Sequence, residues 1–101
     1  MPFMRTQWYR IDQALPRTPC VFGLLDAGRT QMIYIGQAPH LDEAIAELMA
    51  DASHKVHEYE PKLICAEVNA MEEVRQRRYE VLLEEYAPPA NEAMSTAPQS
   101  I

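Results

Sequence analysis

Two short apolar runs separated by a polar stretch constrain this chain most. Cys20–Leu25 is apolar throughout apart from Gly23, and Met32–Gly36 carries Ile33, Tyr34 and Ile35 at its centre. Both runs are too short for buried helices, are rich in β-branched and aromatic residues, and are bounded by Pro19 or by Asp26-Ala27-Gly28. Each therefore reads as a buried strand. The connection from Asp26 to Gln31 is short and contains a glycine, so the two strands pair as an antiparallel hairpin. A lone hairpin is marginal in water, and the rest of the chain must supply the elements that cover it.

Those elements follow from periodicity and punctuation. Leu41, Ala44, Ile45, Leu48, Met49 and Ala52 recur at helical spacing and form one apolar stripe. Asp42 and Glu43 fall in the first turn, where carboxylates favour the helix dipole. Ser53 to Pro61 is a polar connection, and Leu63 to Val68 is a third strand interrupted by Glu67. Asn69 stands as an N-cap with Glu72 at the capping-box position, predicting a helix over 70–86 that Pro88 and Pro89 end. Ahead of the hairpin, residues 1–5 form a loose end. Trp8, Ile11 and Leu15 then share one face of a short helix that Pro16 stops, and the Pro16–Pro19 segment is a rigid connector. Residues 92–101 are small and polar without periodicity and read as a flexible tail. The expected fold is α/β (α+β): a three-stranded antiparallel sheet flanked by helices, in the order α-β-β-α-β-α.

A chain of 101 residues is one domain with a modest core. Fifteen acidic residues against nine basic ones give a formal charge of -6. That balance disfavours nucleic acid, whose binding draws on Lys and Arg neutralising phosphates. The cations are also unevenly placed: none lies between Arg29 and Lys55, where Asp42, Glu43, Glu47 and Asp51 fall. Cys20 and Cys65 sit inside strand-like runs and read as reduced, buried thiols, with a disulfide between neighbouring strands as the lesser alternative. No secretory leader or membrane-spanning stretch is visible, so the expectation is a cytoplasmic protein without a membrane partner.

Several of these segments together resemble the GIY-YIG nuclease superfamily. Leu15-Pro16-Arg17-Thr18-Pro19-Cys20-Val21-Phe22 is similar to the approach to that family's first strand. Tyr34-Ile35-Gly36 is an intact second element, with eleven residues between it and Phe22. Leu82-Leu83 followed by Tyr86-Ala87-Pro88-Pro89-Ala90-Asn91 is similar to the family's closing segment. The resemblance spans residues 15–91, with 1–14 as an N-terminal segment and 92–101 as the tail, and the expected ββαβα order agrees with it.

The resemblance implies phosphodiester hydrolysis, and with it a set of chemical requirements. Tyrosines activate or position water, a helix-borne arginine offsets charge building on the phosphate, and a glutamate on the later helix holds a divalent metal. At the corresponding positions Phe22 replaces the first tyrosine and Cys20 its preceding glycine, while Tyr34 and Gly36 are retained. In the step Leu41-Asp42-Glu43-Ala44-Ile45, Ala44 stands where the arginine belongs, and Tyr79 stands where the metal-binding glutamate belongs. Glu80 is adjacent, but one residue turns a helical side chain by about 100°. Asn91 is retained and is expected to tie the chain end to the fold through side-chain hydrogen bonds. The residues Phe22, Tyr34, Gly36, Ala44, Tyr79 and Asn91 therefore outline a vestigial groove to which no catalytic role and no metal is assigned.

Two other clusters stand out in the sequence. His54 and His57, with Glu58, Glu60 and the more distant His40, have metal-capable side chains, but a solvated polar loop is the simpler reading. Arg75, Arg77 and Arg78 are the one basic cluster. They read first as a salt-bridged solvent face and second as a weak contact for nucleic acid or an acidic partner. The sequence thus points to a non-catalytic interaction module that binds a protein partner or its own copy and needs no cofactor. The alternatives are a divergent endonuclease using Tyr34, Glu80 and one of those arginines with Mg²⁺ or Mn²⁺, and a nucleic-acid-binding domain that does not cut.

Overall fold

A computed structural model describes residues 3–91 of the chain. The hairpin forms as its residues dictate: strand β2 (Cys20–Leu25) pairs antiparallel with β3 (Met32–Ala38), Phe22 opposite Gly36 and Leu24 opposite Tyr34. Its turn is organised by Asp26, whose Oδ1 accepts from the backbone N–H of Thr30 at 2.8 Å and of Gln31 at 2.9 Å. The left-handed residue in this turn is Arg29 (φ 59°) rather than Gly28. Arg29 is held there with its guanidinium 4.1 Å from the centroid of the Trp8 ring, a cation–π contact. The register slips between Leu24 and Leu25, so Ile33 is the extra residue of a β-bulge.

Strand β4 (Leu63–Val68) adds antiparallel to the other side of β2. Helix α1 (Leu41–Ala50) and helix α2 (Glu72–Tyr86) follow β3 and β4 respectively. The result is a compact α+β domain built on one antiparallel sheet. Its two faces carry separate cores. Phe22, Leu24, Ile33, Ile64 and Ala66 on one face pack with Leu41 and Ile45 of α1. Val21 and Ile35 on the other face pack with Leu82, bordered by Phe3, Met32, Tyr79, Leu83 and Tyr86. Val56 is fully buried in the first core, which explains why part of the expected polar connection coils into a 3-10 turn at Lys55–Tyr59.

The N-terminal expectation is corrected. The segment expected as a short helix is strand β1 (Gln7–Arg10), paired antiparallel with β4 from Gln7 opposite Ala66 to Arg10 opposite Leu63. The sheet therefore has four strands, in the order β1-β4-β2-β3, rather than three. A helix so short satisfies few of its own backbone groups, whereas the open edge of β4 satisfies them by pairing. Ile11 and Leu15 still pack on the first core, while Trp8 is 40% exposed.

The start of α2 also differs from expectation. Its N-cap is Met71, with no side-chain cap bond, and the Asn69–Glu72 capping box does not form. The Asn69 side chain instead donates to Glu67 at 3.0 Å. Arg75 folds back so that its NH1 donates to the carbonyls of Asn69 and Ala70, at 3.2 and 3.3 Å. After α2 the chain turns at Ala87 (φ 43°), buries Pro88, and places Ala90 in the first core. Residues 92–101, expected as a flexible tail, lie outside the described residues. No helix among the described residues is long and apolar enough to cross a membrane.

Candidate functional site

Strand β3 is an outer strand of the sheet, and the space beside it forms a groove of about 510 Å³. Phe22 from β2 and Tyr34, Gly36 and Gln37 from β3 provide the sheet side of its lining. Helix α1 contributes Ala44, Glu47 and Leu48, which share one face of a 3.6-residue helix, and its C-cap is Asp51, which also lines the groove. His54 and, from α2, Tyr79 complete it. Phe22, Tyr34, Gly36, Ala44 and Tyr79, singled out from the sequence, thus meet in one place.

Gly36 has a local reason to be glycine. A Cβ there would lie 2.6 Å from Cζ of Phe22, so the phenyl ring occupies the space a side chain would need. Phe22 in turn meets Tyr34 with ring centroids 6.3 Å apart, and Tyr34 meets the edge of His54 at 5.2 Å. His54 Nδ1 accepts from the Val56 N–H at 3.0 Å and caps the 3-10 turn, so the neutral ring carries its proton on Nε2. Burial, with Tyr79 close by, pushes the Tyr34 phenol above its ordinary value, and burial does the same for Tyr79. Both remain hydroxyl groups at neutral pH. Neither makes a hydrogen bond to a described residue.

The groove's formal charges are carboxylates. Glu47 is exposed and makes no side-chain bond among the described residues. Asp51 Oδ1 accepts from Ser53 Oγ at 2.6 Å and from Ser53 N–H at 3.1 Å. These bonds first, and the neighbouring histidines after them, hold the Asp51 carboxyl below the ordinary range. The other two acids of α1 are engaged elsewhere: Arg17 bonds Glu43 at 2.6 Å and lies 3.5 Å from Asp42.

The remaining sequence candidates sit apart from the groove or are occupied. Asn91 is buried beyond it and bonds Ile35 twice, accepting from its N–H at 2.6 Å and donating to its carbonyl at 2.9 Å. Glu80 does not line the groove; it is exposed and accepts from Gln76 at 2.9 Å. Gln76 accepts from Gln37, and Gln37 accepts from Arg75 Nε at 3.2 Å, so a chain of side chains runs along the rim.

The arginines do not form the expected salt-bridged solvent face. Arg75 is buried against Gln37 and two carbonyls. Arg78 grips Glu67 of β4 with Nε at 2.7 Å and NH2 at 2.8 Å. Arg77 alone of the three is exposed. The reason lies in α2's position: the face carrying Arg75 and Arg78 leans over the β4–α2 connection, where Glu67 and open carbonyls need donors.

Glu47, Leu48 and Asp51 were the groove residues least legible beforehand. Their signal was present as the continuation of Ala44 by three, four and seven residues along α1. His54 and His57 do not converge with their acidic neighbours. His57 Nε2 instead lies 3.0 Å from the Asp51 carbonyl, and no group of three or more His, Cys, Asp or Glu among the described residues is arranged to hold a metal. Cys20 and Cys65 are free and buried, and burial pushes both thiols up to about 12. They pair in the sheet with Val68 and Gly23 rather than with each other. No family model, no curated protein and no solved structure matches this chain.

Proposed function

We propose that this chain is a non-catalytic interaction module built on a GIY-YIG-like frame, with the groove beside β3 receiving a protein partner. The hairpin-helix-strand-helix order and the β4-β2-β3 part of the sheet support the frame, with β1 as an addition at the outer edge. The meeting of Phe22, Tyr34, Gly36, Ala44 and Tyr79 in one groove supports it further. The observation that carries the functional half is the sign of the charge. A phosphodiester transition state gains negative charge and needs a facing cation. This groove offers Ala44, Glu47 and Asp51, while Arg75 is tied to Gln37 and two carbonyls and Arg78 to Glu67.

The test is an NMR titration of the isotope-labelled chain with Mg²⁺ and Mn²⁺, with and without a short DNA duplex, alongside a plasmid-nicking assay. The expected result is no Mn²⁺ broadening confined to the groove and no nicking. Broadening near Tyr34, Tyr79 and Glu80 that tightens with duplex, together with nicking lost in Glu80→Gln, would overturn the proposal in favour of a nuclease. Duplex binding without nicking, falling steeply with salt, would mark a nucleic-acid-binding domain instead.

A further inference from the structure

Helix α1 ends against a general rule of helix electrostatics. A helix C-terminus carries partial negative charge and favours Lys, Arg or His⁺. The last turn of α1 contains no basic residue; Glu47 lies in it, and Asp51 is its C-cap. Arg17 partners only the carboxylates at the other end, where the dipole already favours them. Glu47 thus sits where the local field disfavours it, exposed and without a side-chain bond among the described residues, while Asp51 is held by Ser53. Conflicts of this kind concentrate where a site is held for another purpose.

The groove supplies that purpose. Glu47, in the last turn of α1, and Asp51, the C-cap four residues on, both line the groove. Tyr34 and Tyr79 line the same groove with aromatic rings, and their hydroxyls make no hydrogen bond to a described residue. Carboxylates beside aromatic rings match a planar cation, which accepts ring contact on its faces and presents a fork of N–H donors at its edge. Guanidinium meets both demands. An ammonium group is a more strongly hydrated point charge and meets them less well.

From this combination of groove, rings and carboxylates we infer that the groove receives an arginine side chain presented by a protein partner. The inference rests on the interaction-module reading and names the partner's chemistry. The guanidinium lies between Tyr34 and Tyr79, donates to Glu47 and Asp51, and relieves the unpartnered Glu47 charge in the last turn of α1.

The probe is the blocked tripeptide acetyl-Gly-Arg-Gly-amide, titrated into the labelled full chain, with citrulline and lysine versions beside it. Citrulline keeps the shape of arginine and removes its charge. The expected result is millimolar binding with shifts confined to Tyr34, Glu47, Asp51, His54 and Tyr79. Citrulline should bind at least about tenfold more weakly, the size of one lost charge-assisted hydrogen bond. Lysine should fall between them, and Glu47→Gln should lower arginine affinity about tenfold with the rest of its spectrum unchanged. Equal binding of arginine and citrulline would overturn the inference, as would silence at about 10 mM peptide, above the affinity expected of a single anchored side chain. In either case the interaction-module reading would still be judged by the metal and duplex experiment. Groove shifts produced by duplex DNA and not by peptide would remove both.

Discussion

Two polar regions flank α2, and they are built on opposite terms. Beside β4, Glu67 is 4% exposed, and its carboxylate accepts from Arg78 twice, from the Met4 N–H at 2.9 Å and from Asn69 at 3.0 Å. Arg75, one helical turn earlier, is likewise engaged with Gln37 and two carbonyls. Beside β3, Glu47 and the hydroxyls of Tyr34 and Tyr79 have no hydrogen-bond partner among the described residues. A saturated polar cluster fixes a structure, because removing one member strands the others away from water. An unsaturated one leaves donors and acceptors for something outside the chain. Arg78 is thus spent on holding β4 to the helix and Arg75 on the β4–α2 connection and Gln37, while Glu47 is left facing the groove without a partner among the described residues.

The largest expected effect comes from breaking the saturated region. Arg78→Ala leaves the Glu67 carboxylate buried without its main partner and should cost about 3–5 kcal/mol in urea unfolding. Acid should expose the same dependence. Burial pushes the Glu67 carboxyl up, but the Arg78 bonds, with those from Met4 and Asn69, outweigh it and set it below the ordinary range. A carboxyl lowered on folding contributes stability that is complete above its unfolded value, about 4.3, and is lost as pH falls through its folded value. Urea midpoints followed downward from pH 6 should therefore fall below about pH 4.3, and Glu67→Gln should flatten that decline. A pH-independent midpoint in the native chain would show that the pair contributes little.

A second substitution is intermediate in size. The outer edge of β3 would leave the Ile35 N–H and carbonyl open, and the Asn91 side-chain amide satisfies both. The other outer strand is treated alike at Arg10, whose N–H donates to Gln13 Oε1 at 2.7 Å and whose carbonyl accepts from the Gln13 N–H at 3.2 Å. Open strand edges invite pairing with other chains, and each cap removes that opportunity at one point. Asn91→Ala should cost about 2–3 kcal/mol by stranding two buried groups. It should also raise the fraction of dimer or larger species in sedimentation, because β3 then offers a free edge. Asn91→Asp keeps the acceptor and loses the donor, and should fall between the native chain and Asn91→Ala. Equal stability of all three would mean that water replaces the amide at no cost.

The fold was legible in the sequence wherever its cause was local. The β2–β3 hairpin announced itself through two apolar runs and a short turn, and α1 through its stripe from Leu41 onward. The N-terminal segment misled because Trp8, Ile11 and Leu15 do fall at helical spacing, while the partner that draws Gln7–Arg10 into a strand is β4, more than fifty residues away. The Asn69–Glu72 capping box misled for a related reason. It is a sound local signal, but Glu67 claims the Asn69 side chain and Arg75 claims the Asn69 carbonyl. Of the groove, motif positions supplied Phe22, Tyr34, Gly36, Ala44 and Tyr79. Glu47 and Asp51 belong to no motif, and only the placement of α1 beside β3 makes them part of it. The arginines were misjudged because burial in α2 is decided by the strand it leans on, and α2's own apolar stripe is weak.

The smallest effect is the one that most sharpens the comparison. If Glu47 is held for a partner and not for the fold, removing its charge should not destabilise the chain. Glu47→Gln has no described hydrogen bond to lose and relieves a negative charge near the C-terminal end of α1. It should raise stability slightly, by about 0.3 kcal/mol, with a larger gain at low salt than at high salt. Glu43→Gln provides the contrast on the same helix. It removes a first-turn carboxylate that both the dipole and Arg17 favour, and should lower stability by a similar small amount. Opposite signs from two Glu→Gln changes one turn apart would identify Glu47 as a group the folded chain tolerates rather than uses. Matching losses would show that both ends of α1 are built for stability, and the distinction between the saturated and open regions would then fail at its most exposed residue.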